Sequence, residues 1–186
     1  ASYSLFPNWE YEKLKTAMID TIKANMKYFE EVTLLYFEQN HNSTNYKLAR
    51  KQVYVSTSNL ASLFQRMFSE PKSKQHHMTE LHQFTVLNHL LSSYIATLSL
   101  YKKEHAYVYL NTEELKPVAT NTSYLLEQSA NNINVHSDDI SNVPLIRRKN
   151  LKDNILENEN LIISEQFDSI QKVAYDIFKL TEKLKI

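Results

Sequence analysis

Glycine and cysteine are both absent from the 186 residues, and each absence excludes whole classes of protein. Phosphate-cradling and dinucleotide-binding loops need glycine, because their backbones adopt conformations that a side chain obstructs. Tight two-residue hairpin turns also favour glycine, so a sheet built from many hairpins is not expected. A chain without cysteine has no disulfide, no thiolate zinc ligand and no cysteine nucleophile. The composition therefore excludes these nucleotide-binding loops and favours helices.

Charge is balanced, with 21 basic and 21 acidic residues and a formal net charge of +0. Apart from the short run at residues 147–149, no basic block stands out, so nucleic-acid binding is not predicted. No segment is apolar enough to span a bilayer, and no direct bilayer insertion is expected. A chain of this length fits a single domain, taken here as residues 1–186, with an ordinary hydrophobic core.

Apolar residues recur at helical spacing in several segments, which predicts an all-α fold, an antiparallel bundle of about five long helices with no β-sheet. The expected helices cover residues 8–39, 45–70, 78–103, 112–130 and 153–185, and residues 131–150 are expected to form a loop or a partly disordered segment.

Two features concern the second and third predicted helices. Small residues such as Ser58, Ala61, Ser92 and Ala96 predict that these helices approach closely and form the centre of the bundle. Residues 81–101 contain no Asp, Glu, Lys or Arg, a length that also suits a membrane span. Their polar content favours instead a central helix that its neighbours cover on most sides.

Several strings of residues carry a family resemblance: YKLARK at 46–51, NLA at 59–61, FQRM at 64–67, SEPKSKQ at 69–75, LFPNW at 5–9 and LNHLLSS at 87–93. Together they resemble the carboxy-terminal cytoplasmic region of the fusaric-acid-resistance-like inner-membrane family, YccS/YhfK type, whose members are often labelled aromatic acid exporters. The resemblance covers roughly residues 5–100. It implies that membrane helices precede residue 1 in the full protein and that this region lies on the cytoplasmic face of a bacterial inner membrane.

The resemblance carries no catalytic motif. The motif or structural residues of interest are Tyr46, Arg50, Arg66, Glu70, Pro71, Asn88 and His89. Arg50 is expected to pair with Glu30 or Glu31 of the neighbouring helix, because a partly buried guanidinium requires a carboxylate. Arg66 and Glu70 are one helical turn apart and are expected to form a surface pair.

No metal or cofactor is predicted. His82 and His89 lie seven residues apart on one helical face, and hydrogen-bonded core positions are expected for both, since no metal-binding motif accompanies them. His136, Asp138 and Asp139 include triad-like residue types, but adjacency in a loop is not triad geometry.

The leading hypothesis is a non-enzymatic accessory domain of a membrane transport or efflux protein, with a regulatory, gating or assembly role. Its expected partners are its own transmembrane domain and a second copy of itself, and the isolated chain is expected to be a weak dimer at most. Two alternatives stay open. One is a small-molecule-binding or enzymatic bundle with a polar pocket around Tyr46, Arg50, Asn88 and His89, and the other is a free-standing helical adaptor.

Overall fold

The computed structural model describes residues 8–38, 43–69, 77–104, 112–134, 143–146 and 157–184. They form five helices, which are α1 (Asn8–Phe37), α2 (Ser43–Phe68), α3 (Met78–Glu104), α4 (Thr112–Asn134) and α5 (Glu157–Lys183). No strand occurs within these ranges. The predicted all-α fold is confirmed.

Helix α4 is longer than predicted and ends at Asn134 rather than at residue 130. The added turn packs well, because Ile133 is buried and the Asn132 amide donates to Thr181 Oγ1 at 3.3 Å. Residues 131–134 of the predicted loop are therefore helical. Its other described part, residues 143–146, lies against α4 through a hydrogen bond from the Asn121 amide to the Pro144 carbonyl at 3.2 Å. The predicted start of the last helix, at residue 153, lies outside the described residues.

Four of the helices form a ring. Helix α1 packs against α3 and α4, and α5 packs against the same two helices from the opposite side. Helix α2 lies outside this ring and contacts α1 and α3, and its contact with α3 is the least extensive of the helix pairs that touch. The prediction that α2 and α3 form the centre is therefore wrong, and α1 and α3 each contact three other helices.

The core of the ring is rich in aromatic side chains. Phe167 of α5 is fully buried and reaches across the centre of the four-helix ring to α1. Its ring centroid lies 6.0 Å from those of Phe29, Tyr36 and Phe37, with edge contacts to the first two and a stacked contact to the third. These contacts tie α1 to α5, although the two helices do not adjoin along their backbones.

Helix α3 is less buried than its uncharged sequence suggests. Its inward residues include Leu91, Ile95 and Leu98, whereas Val86 and Leu100 are 49% and 54% exposed. The expectation that neighbouring helices cover α3 on most sides is wrong. Helices α1, α2 and α5 all contact its inward side, and the uncharged residues of its outer face are exposed. Within the described ranges, no helix combines the length and the apolar content needed to cross a bilayer.

Candidate functional site

A pocket of about 450 Å³ lies between α2 and α3, with α1 contributing Tyr28. Small residues on the facing sides of α2 and α3 line much of it: Ser58, Ala61, Ser92, Ser93 and Ala96. These small side chains were expected to bring the two helices together, but in the structure they leave the space between them unfilled. We call this space the α2–α3 pocket.

Arg50 lines the pocket and is exposed to solvent. Its guanidinium donates to the Tyr54 hydroxyl at 3.5 Å, and its carbon lies 5.8 Å from the centroid of the Tyr54 ring. The hydrogen bond to Tyr54, one turn further along α2, raises the pKa of Arg50, which stays charged. Tyr54 thus positions the cation without neutralising it.

The predicted ion pair between Arg50 and Glu30 or Glu31 is absent. Both carboxylates instead form ion pairs with Lys27 on the same helix, whose Nζ lies 2.9 Å from Glu31 and 4.0 Å from Glu30. The hydrogen bond with Glu31 raises the pKa of Lys27. Glu30 and Glu31 thus have a cation within one turn on their own helix. Arg50 of α2 therefore has no structural role in pairing with them.

Replacing Arg50 with alanine should therefore change stability little. The lost contact with Tyr54 is an exposed cation–π pair of about 0.5 to 1 kcal/mol at most. A urea denaturation midpoint close to that of the natural chain is expected. A loss as large as the roughly 1 to 3 kcal/mol expected for leaving a buried group unpaired would contradict this placement.

Buried hydroxyl groups lie beside the pocket. The Ser99 Oγ donates to the Ala96 carbonyl at 2.8 Å, which uses its proton, so the Tyr46 hydroxyl at 2.9 Å is the donor in their mutual bond. The rings of Tyr46 and Tyr28 lie 5.7 Å apart. The Tyr28 hydroxyl is buried and forms no hydrogen bond, although Ser99 and Tyr46 are near enough to influence its pKa.

Burial raises the pKa of Tyr28 and of Tyr36 well above the ordinary value of 10.0. Above about pH 10 the unfolded chain loses these phenolic protons while the folded chain keeps them. The unfolded state then binds fewer protons, so their contribution to stability is fully present below that pH and falls as the pH rises. Unfolding free energy should therefore decline between about pH 9 and 11, less steeply in a Tyr28→Phe/Tyr36→Phe variant. Equal slopes for the two proteins would contradict the prediction.

Asn88 is buried but does not line the pocket. Its Oδ1 accepts from the Asn25 amide at 3.2 Å, and its own amide donates to the Phe84 carbonyl at 2.9 Å. It therefore joins α3 to α1 inside the core. Its role is structural.

The expected core histidines are both on the surface. His82 and His89 are exposed, and the ring of His82 lies 6.0 Å from that of Phe64. In the described part of the chain no cluster of three His, Cys, Asp or Glu residues could hold a metal ion. His136, Asp138 and Asp139 lie outside the described residues.

Arg66 is exposed and lines a wider groove of about 770 Å³ between α1 and α2. Charges of both signs line this groove, from Glu12, Asp20, Lys13 and Arg66 itself. The predicted pair with Glu70 cannot be placed, because Glu70 and Pro71 lie outside the described residues. The mixed charge gives this groove no preference for one kind of ion.

Of the motif or structural residues of interest, Arg50 and His89 line the α2–α3 pocket. Tyr46 and Asn88 lie in the core beside it. Sequence reasoning missed Tyr28 and Tyr54. The run of small residues on α2 and α3 was the available signal for a cavity at this place.

A comparison with curated proteins gives a match to the inner membrane protein YccS of Escherichia coli (strain K12), with 25% identity over 100 residues. The match spans 54% of this chain but only 14% of YccS. It supports a relationship to the YccS type that the sequence strings suggested. The name denotes an inner membrane protein. No protein-family profile and no solved structure matches the chain.

Proposed function

We propose that the chain is the helical, extramembrane part of an inner-membrane transport protein and lies on the cytoplasmic face. The similarity of 100 residues to an inner membrane protein carries the proposal. Because the match spans only 14% of that relative, most of the relative's length lies outside it. In such a protein the helical domain would regulate, gate or assemble the membrane part.

The test is fractionation of the product of the complete gene, compared with residues 1–186 alone. The complete product should stay in the membrane pellet through an alkaline wash, since transmembrane insertion is effectively irreversible. The 186-residue chain should remain in the supernatant. A complete product that washes off the membrane would favour the free-standing helical adaptor.

Assembly with a second copy is the role that the surface of α3 supports best. Exposed uncharged residues recur along its outer face, namely Val86, Leu90, Thr97 and Leu100, and Ser93, at the edge between this face and the pocket, completes their steps of three and four. This spacing suits a helix–helix seam, and two uncharged faces meet without like-charge repulsion. Membrane segments would hold two copies close together, so that a small interface suffices.

The absence of cysteine makes this assembly easy to test by cross-linking. A Leu90→Cys substitution in the membrane-bound protein, in a cysteine-free background, should give a disulfide-linked dimer. Leu48→Cys, on the exposed face of α2, is the matched control and should not. Cross-linking through residue 48 but not through residue 90 would contradict the assigned face. The isolated chain should dimerise weakly in light scattering, and a dimer that persists at nanomolar concentration would contradict weak association.

Binding of a small molecule is a second candidate, and the α2–α3 pocket favours it. Its volume lies within the range of about 300 to 1,000 Å³ typical of ligand sites. It can coexist with an assembly role, because the pocket and the outer face of α3 are largely different surfaces.

A further inference from the structure

The side chains that line the α2–α3 pocket give it a positive character. Arg50 is a permanent cation, whereas no Asp or Glu is among the described residues that line the pocket. The remaining polar groups are hydroxyls from Tyr28, Tyr54 and a set of serines and threonines: Thr57, Ser58, Ser92 and Ser93. Thr57 and Ser92 already donate their protons to the Val53 and His89 carbonyls. The hydroxyls of Tyr54, Ser58 and Ser93 and the Arg50 guanidinium are the donors toward a negative ligand.

The charge of Arg50 is available to a ligand. No carboxylate within the described residues pairs with it, and Tyr54 supplies only a neutral oxygen and a ring face. Because Tyr54 restrains the guanidinium at the rim of the pocket, a ligand would lose less entropy in ordering it. The planar guanidinium can also make two parallel hydrogen bonds to one oxyanion group.

Tyr28 forms the inner wall of the pocket. It lines the pocket, is only 2% exposed, and its hydroxyl lacks a hydrogen bond. Buried hydroxyl groups without a partner are uncommon, because the lost bond to water is not replaced. This hydroxyl lies beside Ser99 and Tyr46, which do not line the pocket, so it is not counted among the contacts of a ligand.

We propose that the α2–α3 pocket binds a small organic oxyanion, a carboxylate or a phosphate ester, with Arg50 as its charged contact. A single permanent cation suits a ligand of low charge better than a polyanion such as a nucleic acid. The pocket volume of about 450 Å³ limits the ligand to a small metabolite. The proposal does not depend on attachment to a membrane.

Two probes test the proposal, succinate for a carboxylate and inorganic phosphate for a phosphate ester. Each is titrated into the 186-residue chain to millimolar concentration, with sodium chloride adjusted to hold the ionic strength constant. Backbone amide NMR shifts should saturate and should concentrate around the pocket, at residues near Arg50, Ser58 and Ser93. Saturation by succinate alone, by phosphate alone or by both supports the proposal and identifies the chemistry preferred.

Variants distinguish a specific binding site from a general attraction of anions to positive charge. Arg50→Gln should weaken binding by about tenfold or more. Lys51→Gln removes the same charge one residue away, outside the pocket, and should leave affinity within about twofold. Ala61→Leu fills part of the pocket without a change of charge and should also abolish binding. The proposal is overturned if neither probe gives saturable shifts, or if Arg50→Gln and Lys51→Gln weaken binding equally.

Discussion

Replacing Phe167 with alanine should lower the free energy of unfolding by about 3 to 5 kcal/mol, the usual cost of removing a fully buried phenyl ring. Phe167 has no exposed surface and contacts three aromatic rings of α1. Its removal would leave a cavity between α1 and α5, which have no other close contact along their backbones. Urea denaturation measures the effect.

Phe68 is the matched control for this substitution, because it is the same residue type at 66% exposure. Its ring centroid lies 6.5 Å from that of Phe64 on the same helix. Phe68→Ala should change stability by about 0.5 kcal/mol or less. Similar losses of unfolding free energy for the two substitutions would show that Phe167 does not lie at the centre of the four-helix ring.

Replacing Asn88 with alanine is expected to cost about 1 to 3 kcal/mol, because it removes the shorter of the two hydrogen bonds that the buried Asn25 amide donates. The Oδ1 of Asn25 already lacks a hydrogen bond, so the substitution leaves this side chain with only the bond of 3.5 Å to the main-chain carbonyl of residue 88. Asn59→Ala, at an exposed position of α2, is the control and should be nearly neutral.

The coupling between the two asparagines can be measured with a double variant. When both partners are replaced by leucine, no polar group is left unsatisfied, and stability should recover most of the loss seen with Asn88→Leu alone. A double variant that loses the sum of the two single effects would show that the two amides do not interact.

The helices and their buried stripes were predictable because they depend on local spacing. In α5 the apolar residues at steps of three and four are all buried, and so is Leu184 directly after the helix: Ile163, Phe167, Ile170, Ala174 and Ile177. A step of three or four residues keeps side chains on one face whatever the rest of the chain does. The order of the helices around the ring was not predictable in this way, since it depends on contacts between segments far apart in sequence.

The errors at individual residues have a geometric origin. Asn88 and His89 are adjacent, so their side chains differ by about 100° around the helix axis and cannot both face the core. Asn88 faces the core with Leu91, Ile95 and Leu98, which turns His89 outward.

The prediction for Arg50 was wrong for a related reason. Arg50 is about 40° around the helix from Tyr46, at the edge of the buried stripe, from which a long side chain reaches solvent. Periodicity alone does not tell which side of such an edge a residue takes. Its partner Tyr54 was missed because a carboxylate on another helix was expected.

The most direct test of the central claim, a helical domain on the cytoplasmic side of an inner-membrane protein, is labelling of a single cysteine. Asn59→Cys places one thiol on the exposed face of α2, in the product of the complete gene on a cysteine-free background. A membrane-impermeant maleimide should label it only after the inner membrane is opened, and the labelled protein should stay with alkaline-washed membranes. Labelling through an intact inner membrane, or labelled protein in the wash, would contradict the account.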